Sequence, residues 1–295
     1  MLILFTLLAC SDGDPVESAD PTASDPRWDP ANWPERIDLD DRTATLVAPT
    51  SWAGEALPVV FELHGFSASG QLQDLIYQAS LRVDEKQFIL VLPEGTKNPD
   101  GLQFWNATDA CCDFYGSEVN DVRFLKQLID EVEASFPVDS DRISIMGHSN
   151  GGYMSYRMGC EIPTRLSAIA PLAGLAWSNE ADCVDQTGVS VLHIHGTLDT
   201  SVPYEPAFGL PGALGSVERH TARAGCSGTS EDLGAVNYEE GIAGDETDRL
   251  RFTDGCREGF VGELWTMNET GHVPLFTDEF RDDMLDWMLA RTRQP

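Results

Sequence analysis

The chain has 295 residues, enough for one large domain, and 42% of them are hydrophobic, so a sizeable core can be buried and neither a fibrous nor a wholly disordered chain is indicated. Its 19 basic and 49 acidic residues give a formal net charge of −30. A surface that acidic repels phosphate backbones and anionic headgroups, which excludes nucleic acid as a partner; the acidity reads as solubility, with attraction of cationic partners as the alternative.

Leu2 to Ala9 reads LILFTLLA, an apolar run too short to span a bilayer as a helix. It fits the core of an export signal. The run ends in Leu7-Leu8-Ala9-Cys10, which resembles a bacterial lipobox. That resemblance implies that Cys10 receives lipid and becomes the new first residue, attaching an exported protein to the cell envelope. No Lys or Arg precedes the run, and the run is short; an upstream start codon would account for both. Plain secretion or a buried N-terminal strand are the alternatives. Residues 11–30, SDGDPVESADPTASDPRWDP, are rich in Pro, Asp and Ser with little to bury, the composition of a disordered acidic tether. A single domain is expected over residues 31–295.

From about Thr43 short apolar runs alternate with helix-like segments. Leu57–Leu63 (LPVVFEL) reads as a buried strand ending at His64-Gly65, and Phe88–Leu92 as a second, closed by Pro93. Val122–Phe136 spaces its apolar residues as one helix face. Arg142–Met146 is the next strand and runs into Gly147; Asn150–Cys160 then reads as helix. Ala168–Leu172 and Val189–Ile194 read as strands, as do Asp248–Phe252 and Gly262–Met267 near the end. Phe276–Arg291 closes the chain as an amphipathic helix. Strands alternating with helices imply an α/β fold, a mostly parallel doubly wound sheet with helices on both faces.

Gly147-His148-Ser149-Asn150-Gly151 matches Gly-x-Ser-x-Gly between a strand and a helix, the setting of a nucleophile elbow. The serine occupies a cramped turn, and side chains two positions away on either side would collide with the neighbouring strand and helix. An oxyanion needs preorganised N–H donors, each worth roughly 3 kcal/mol of barrier. The expected donors are the backbone N–H of Asn150 and that of Phe66, on the loop that ends the LPVVFEL strand.

Asp199 lies on the loop beyond the Val189–Ile194 strand, where a triad acid belongs; Asp182 and Asp185 precede that strand. The base must follow the acid in the order Ser, Asp, His. His220 falls in the helix-like segment Gly215–Ala224, read as exposed helix surface, which leaves His272 on a loop before the closing helix. His193 and His195 share a strand face, but no third ligand stands at a suitable spacing, so no metal is expected; His195 is expected to order the acid loop. Six cysteines remain beside Cys10, an even set that suggests disulfides in an exported protein, or reduced thiols in a cytosolic one.

Together these residues resemble the polyhydroxybutyrate depolymerase and feruloyl esterase family of secreted α/β-hydrolases. The resemblance rests on LHGF (63–66), VLPEGT (91–96), FWNATDACC (104–112), NDVRFLKQLID (120–130), GHSNGGYMSYRMGCE (147–161), AIAPLAG (168–174), HIHGTLDTSVPY (193–204) and TGH (270–272), in that order. It implies a serine carboxylic-ester hydrolase with Ser149, Asp199 and His272 as its triad and no cofactor, acting on small or oligomeric esters such as feruloyl, acetyl or short hydroxyalkanoate esters. It also implies pocket contributions near Trp105 and Tyr204, and a disulfide between Cys226 and Cys256; the pairing of Cys111, Cys112, Cys160 and Cys183 stays open. The stretch around His272 departs from the family, lacking its Gly-rich approach and the tryptophan that follows. With no polymer-binding module after Pro295, soluble esters are expected over solid polyester. A peptidase on the same fold and a non-catalytic binding protein are the rival readings.

Overall fold

The computed structural model of the chain describes residues 29–293 except Val184 and Gln186. The expected export signal, Cys10 and most of the expected acidic tether lie outside the described residues. The strands in chain order are β1 (Arg36–Leu39), β2 (Arg42–Val47), β3 (Leu57–Leu63), β4 (Ile89–Pro93), β5 (Thr96–Lys97), β6 (Gln103–Phe104), β7 (Val138–His148), β8 (Ala168–Leu172), β9 (Ser190–Gly196), β10 (Glu231–Val236), β11 (Thr247–Phe252) and β12 (Gly262–Met267). The helices are α1 (Gly70–Tyr77), α2 (Val83–Lys86), α3 (Asp121–Ser135), α4 (Asn150–Glu161), α5 (Gly212–Arg223) and α6 (Asp278–Leu289).

Among the described residues, ten strands form one sheet in the order β1-β2-β4-β3-β7-β8-β9-β12-β11-β10. The six central strands, β4 to β12 in that order, are parallel to one another; β1 and β2 on one side, and β11 and β10 on the other, are antiparallel. Strands buried on both faces read as continuous apolar runs. In β3 every residue is buried, and its side chains alternate: Val59, Phe61 and Leu63 enter one core, Val60 the other. Helices α3, α4 and α5 cover the first face with Leu125, Leu128, Met154, Tyr156 and Val217; α1 and α6 cover the second with Tyr77, Phe280, Met284 and Leu285. Truncating one such fully buried leucine to alanine costs about 2–5 kcal/mol.

Helix starts are fixed by side-chain caps. Asn120 accepts the N–H of Arg123 at 2.9 Å, and Thr277 accepts that of Phe280 at 3.2 Å, which sets where α3 and α6 begin. The structure extends three expectations. The strand read at Arg142–Met146 runs from Val138 to His148, so the first half of the Gly-x-Ser-x-Gly motif is itself strand. Ordered structure begins before Thr43, with the β1–β2 hairpin and with a 3₁₀ turn at Pro30–Asn32 capped by Asp29, the last residues assigned to the tether. The third is β10, whose Glu231 and Asp232 give it no apolar signature.

His220 corrects an expectation. It is not on an exposed helix surface but 1% exposed, with Nε2 2.8 Å from the carbonyl oxygen of Val189. The face of α5 that carries His220 packs toward β9, and the ring supplies a hydrogen bond that an aliphatic residue there would lack. Burial, then the charge of Arg223, lowers its pKa to about 4.

The structure joins Cys111 to Cys112, Cys160 to Cys183 and Cys226 to Cys256. The second ties the end of α4 to the segment before β9; the third ties the end of α5 to the β11–β12 connection. No helix of the described residues is long and apolar enough to cross a membrane.

Candidate active site

The parallel strands β3, β7, β9 and β12 deliver loops to one edge of the sheet, and Phe66, Ser149, Asp199 and His272 come from those loops. At the end of β7, Ser149 adopts φ 54° and ψ −116°, a conformation that non-glycine residues avoid. The turn that forces it is tight. A Cβ on Gly147 would fall on the carbonyl of Gly151, and one on Gly151 would fall on that of Leu63. The two motif glycines therefore let α4 start immediately behind the serine. Ser149 N–H donates to Leu172 O of β8 at 2.8 Å, fixing the elbow to the next strand.

The loop after β3 runs alongside. A Cβ on Gly65 would lie 3.6 Å from Cβ of Ser149. The amides flanking Phe66 are engaged inside the protein: Gly65 N–H donates to Gln73 Oε1 at 3.1 Å and Ser67 N–H to Gln103 O at 2.8 Å. His64 Nε2 accepts the N–H of Gly95 at 2.9 Å, so its proton sits on Nδ1 and is donated to Gly65 O at 2.8 Å. Burial lowers the pKa of that imidazole and keeps it neutral.

Asp199 and His272 are brought together directly: Nδ1 of His272 donates to Oδ2 of Asp199 at 2.7 Å. The other carboxylate oxygen, Oδ1, accepts the N–H groups of Ser201 and Val202, both at 2.8 Å. His195 Nε2 lies 3.3 Å from Oδ2. Burial by itself would raise the pKa of Asp199; hydrogen bonds from His195, His272 and Val202 N–H outweigh it and hold the carboxyl well below the usual carboxylate range. An anion fixed on Nδ1 turns Nε2 of His272 into the proton acceptor.

His272 reaches the serine's neighbourhood through His148. Nε2 of His148 donates to His272 O at 2.8 Å, and the two rings lie 4.8 Å apart. Burial and the nearby His272 lower the pKa of His148 to about 4, so it is neutral at ordinary pH. Sequence reasoning missed this residue, because it fills a variable position of Gly-x-Ser-x-Gly.

The side chain of Asn150 was also missed. Oδ1 accepts Trp105 N–H at 2.7 Å and Nδ2 donates to Trp105 O at 2.9 Å, a two-point clamp on the loop after β6. Arg157 adds bonds to the carbonyls of Asn106 and Ala107, at 2.6 and 2.9 Å. Trp105 is fully buried, and its indole N–H donates to His64 O at 3.0 Å. Its expected place in the pocket wall is therefore corrected: it has no face for a substrate and props the loop that carries Phe66. Tyr204 is half-buried, its hydroxyl 2.7 Å from Thr266 Oγ1 and its ring edge-on to His195. His193 and His195, weighed above as a metal pair, contact each other instead, Nε2 to Nδ1 at 3.1 Å.

Residues 50–211, more than half of the chain, match the phospholipase/carboxylesterase family. Among curated relatives, a bifunctional acetylxylan esterase/xylanase of Neocallimastix patriciarum is 26% identical over 169 residues, 57% of this chain and 23% of the relative. Feruloyl esterase B of Piromyces equi is 25% identical over 245 residues, 79% of this chain and 42% of the relative. The chain thus spans less than half the length of these two relatives. Among solved structures, the acetyl xylan esterase from Aspergillus awamori superposes with a TM-score of 0.58 at 14% identity, over 84% of this chain and 94% of that one. An S-formylglutathione hydrolase from Agrobacterium tumefaciens gives 0.53 at 16%, over 85% and 90%. These likenesses establish the α/β-hydrolase fold, and the match over residues 50–211 establishes kinship: this chain belongs to the phospholipase/carboxylesterase family.

Proposed function

We propose that the protein is a serine carboxylic-ester hydrolase that works through an acyl-enzyme, with residues 31–295 as one catalytic domain. The observation that carries this reading is the 2.7 Å bond from His272 Nδ1 to an Asp199 carboxylate held by backbone amides, on a loop tied to the residue before Ser149. In this cycle Nε2 of His272 removes the hydroxyl proton of Ser149 as Oγ attacks the ester carbonyl. The backbone N–H groups of Phe66 and Asn150 receive the negative oxygen. The intermediate collapses, the C–O bond to the alcohol breaks, and the imidazolium returns its proton to the leaving alkoxide. Water, deprotonated by the same Nε2, then attacks the acyl-enzyme and releases the acid and free Ser149.

The names of the curated relatives support feruloyl and acetyl esters of carbohydrates as first substrates, and short hydroxyalkanoate esters complete the set. The sequence around Cys10 supports export, with attachment to the cell envelope through that cysteine. The deciding experiment is Ser149→Ala in purified protein, assayed on p-nitrophenyl acetate and methyl ferulate. Turnover should drop to background while the circular dichroism spectrum is unchanged; undiminished turnover refutes the assignment. A fluorophosphonate probe that fails to label Ser149 favours a binding protein, and cleavage of peptides over esters favours a peptidase.

A further inference from the structure

Behind Asp199 a line of buried side chains crosses from β9 to α4. Tyr156, on the helix that follows Ser149, has its hydroxyl 2.9 Å from Nδ1 of His193. Nε2 of His193 lies 3.1 Å from Nδ1 of His195. Nε2 of His195 lies 3.1 Å from the carbonyl oxygen of Val202 and 3.3 Å from Oδ2 of Asp199. Tyr156, His193 and His195 are fully buried.

With a single ring hydrogen on His195, the direction of every proton in this line follows from one end. A carbonyl oxygen and a carboxylate only accept, so that hydrogen is on Nε2 and Nδ1 is the lone pair. His193 Nε2 must then donate to that lone pair, which leaves His193 Nδ1 to accept from the hydroxyl of Tyr156. Burial and the neighbouring His195 keep His193 neutral.

We propose that His195 is a positioning residue for the triad carboxylate, standing beside the Oδ2 of Asp199 that receives His272, with its tautomer set by the Tyr156–His193 pair. The proposal rests on the assignment of Asp199 as the triad acid. Oδ2 then receives the N–H of His272 with His195 Nε2 3.3 Å away, a hydrogen that Nε2 shares with Val202 O, and Oδ1 accepts two amides, which together orient the carboxylate toward His272. The line also connects the acid loop to the helix that begins at the nucleophile, so the two halves of the triad share one rigid support.

Two isosteric amides separate this role from simple packing. His195→Gln can place a donor where Nε2 stands; His195→Asn places its amide only where Nδ1 stands, keeping the polarity and losing the reach to Asp199. With p-nitrophenyl acetate, His195→Gln should keep kcat within about 3-fold of the parent. His195→Asn should lose about 10- to 100-fold in kcat with KM within about 2-fold. Equal losses in the two variants, or kcat within 2-fold of the parent in His195→Asn, overturn the proposal. Hydrolysis that survives in the parent but not in Ser149→Ala leaves the esterase reading standing whichever way His195 behaves. A measurement on the unsubstituted protein needs no variant to fold: ¹⁵N shifts of the histidine rings should place the hydrogen of both His193 and His195 on Nε2. Hydrogen on Nδ1 of His195 overturns the proposal.

Discussion

His148 holds His272 by the main chain: its Nε2 donates to His272 O at 2.8 Å, so the residue before Ser149 fixes the loop that carries His272. The side chain of His272 is left free to bond Oδ2 of Asp199 through Nδ1 at 2.7 Å, and in the proposed cycle its Nε2 would serve Ser149.

The first prediction concerns that bond. His148→Leu removes the donor and leaves the carbonyl of His272 unpaired in a partly buried setting, at a cost of about 1–3 kcal/mol. We expect kcat on p-nitrophenyl acetate to fall about 10-fold, with a smaller change in KM, and His148→Gln to recover part of it. Unchanged kcat in His148→Leu would show that the loop is held by other means.

The second prediction is a pH dependence of stability. His148 and His220 both have pKa values lowered from 6.5 to about 4, chiefly by burial. The unfolded chain therefore binds more protons between about pH 6.5 and pH 4, and stability falls as pH is lowered through that window. Each ring accounts for about 2–4 kcal/mol at the acid end. Urea midpoints measured from pH 7.5 to pH 4 should fall less steeply in His220→Gln than in the parent.

The third has the opposite sign. Glu62 on β3 is fully buried, both carboxyl oxygens have no hydrogen-bond partner among the described residues, and burial raises its pKa well above the usual value, with the charge of Asp74 adding to it. A group that stays protonated in the fold but ionises in the unfolded chain lowers stability as pH rises above its unfolded pKa. Glu62→Gln should raise the melting temperature at pH 8 and change it little at pH 4. A variant that is less stable than the parent at pH 8 would contradict this account.

A fourth prediction addresses the covalent links. Cys226 and Cys256 are 30 positions apart, and closing a loop of that length confers about 3–4 kcal/mol by restricting the unfolded chain. Cys226→Ser together with Cys256→Ser should lower the urea midpoint accordingly. Specific activity at 25 °C should persist, because this link joins α5 to the β11–β12 connection, away from the elbow.

The central fold was legible because its strands are buried on both faces: LPVVFEL and Val189–Ile194 are mostly apolar runs, interrupted only by Glu62, Ser190 and His193, and no amphipathic alternation is needed to see them. The edges were not legible for the same reason. β1 reads RIDL and β10 reads EDLGAV, half-exposed pieces whose neighbours in the sheet, not their own residues, make them strands. At the site, chain order and loop position led to Asp199 and His272, which the structure places in contact at 2.7 Å. His148 was not, because its importance lies in one long-range bond to a main-chain atom 124 residues away. Trp105 was seen but misread: a large aromatic beside an elbow suggests a binding face, whereas its indole is consumed in supporting His64. The depth of His220 escaped for a related reason, since a lone polar residue on an amphipathic helix gives no sign that a carbonyl waits for it inside.

The polar edge strands have a consequence for how copies of this protein meet. β10 presents Glu231 and Asp232 along its exposed margin, with a shift in register between Asp232 and Ala235, and β1 presents Arg36 and Asp38. Such margins are poor templates for another strand. In a chain of net charge −30, two of them approaching side by side would also repel. The sheet therefore terminates its own growth, and crowded molecules should remain dispersed instead of stitching their sheets into fibres.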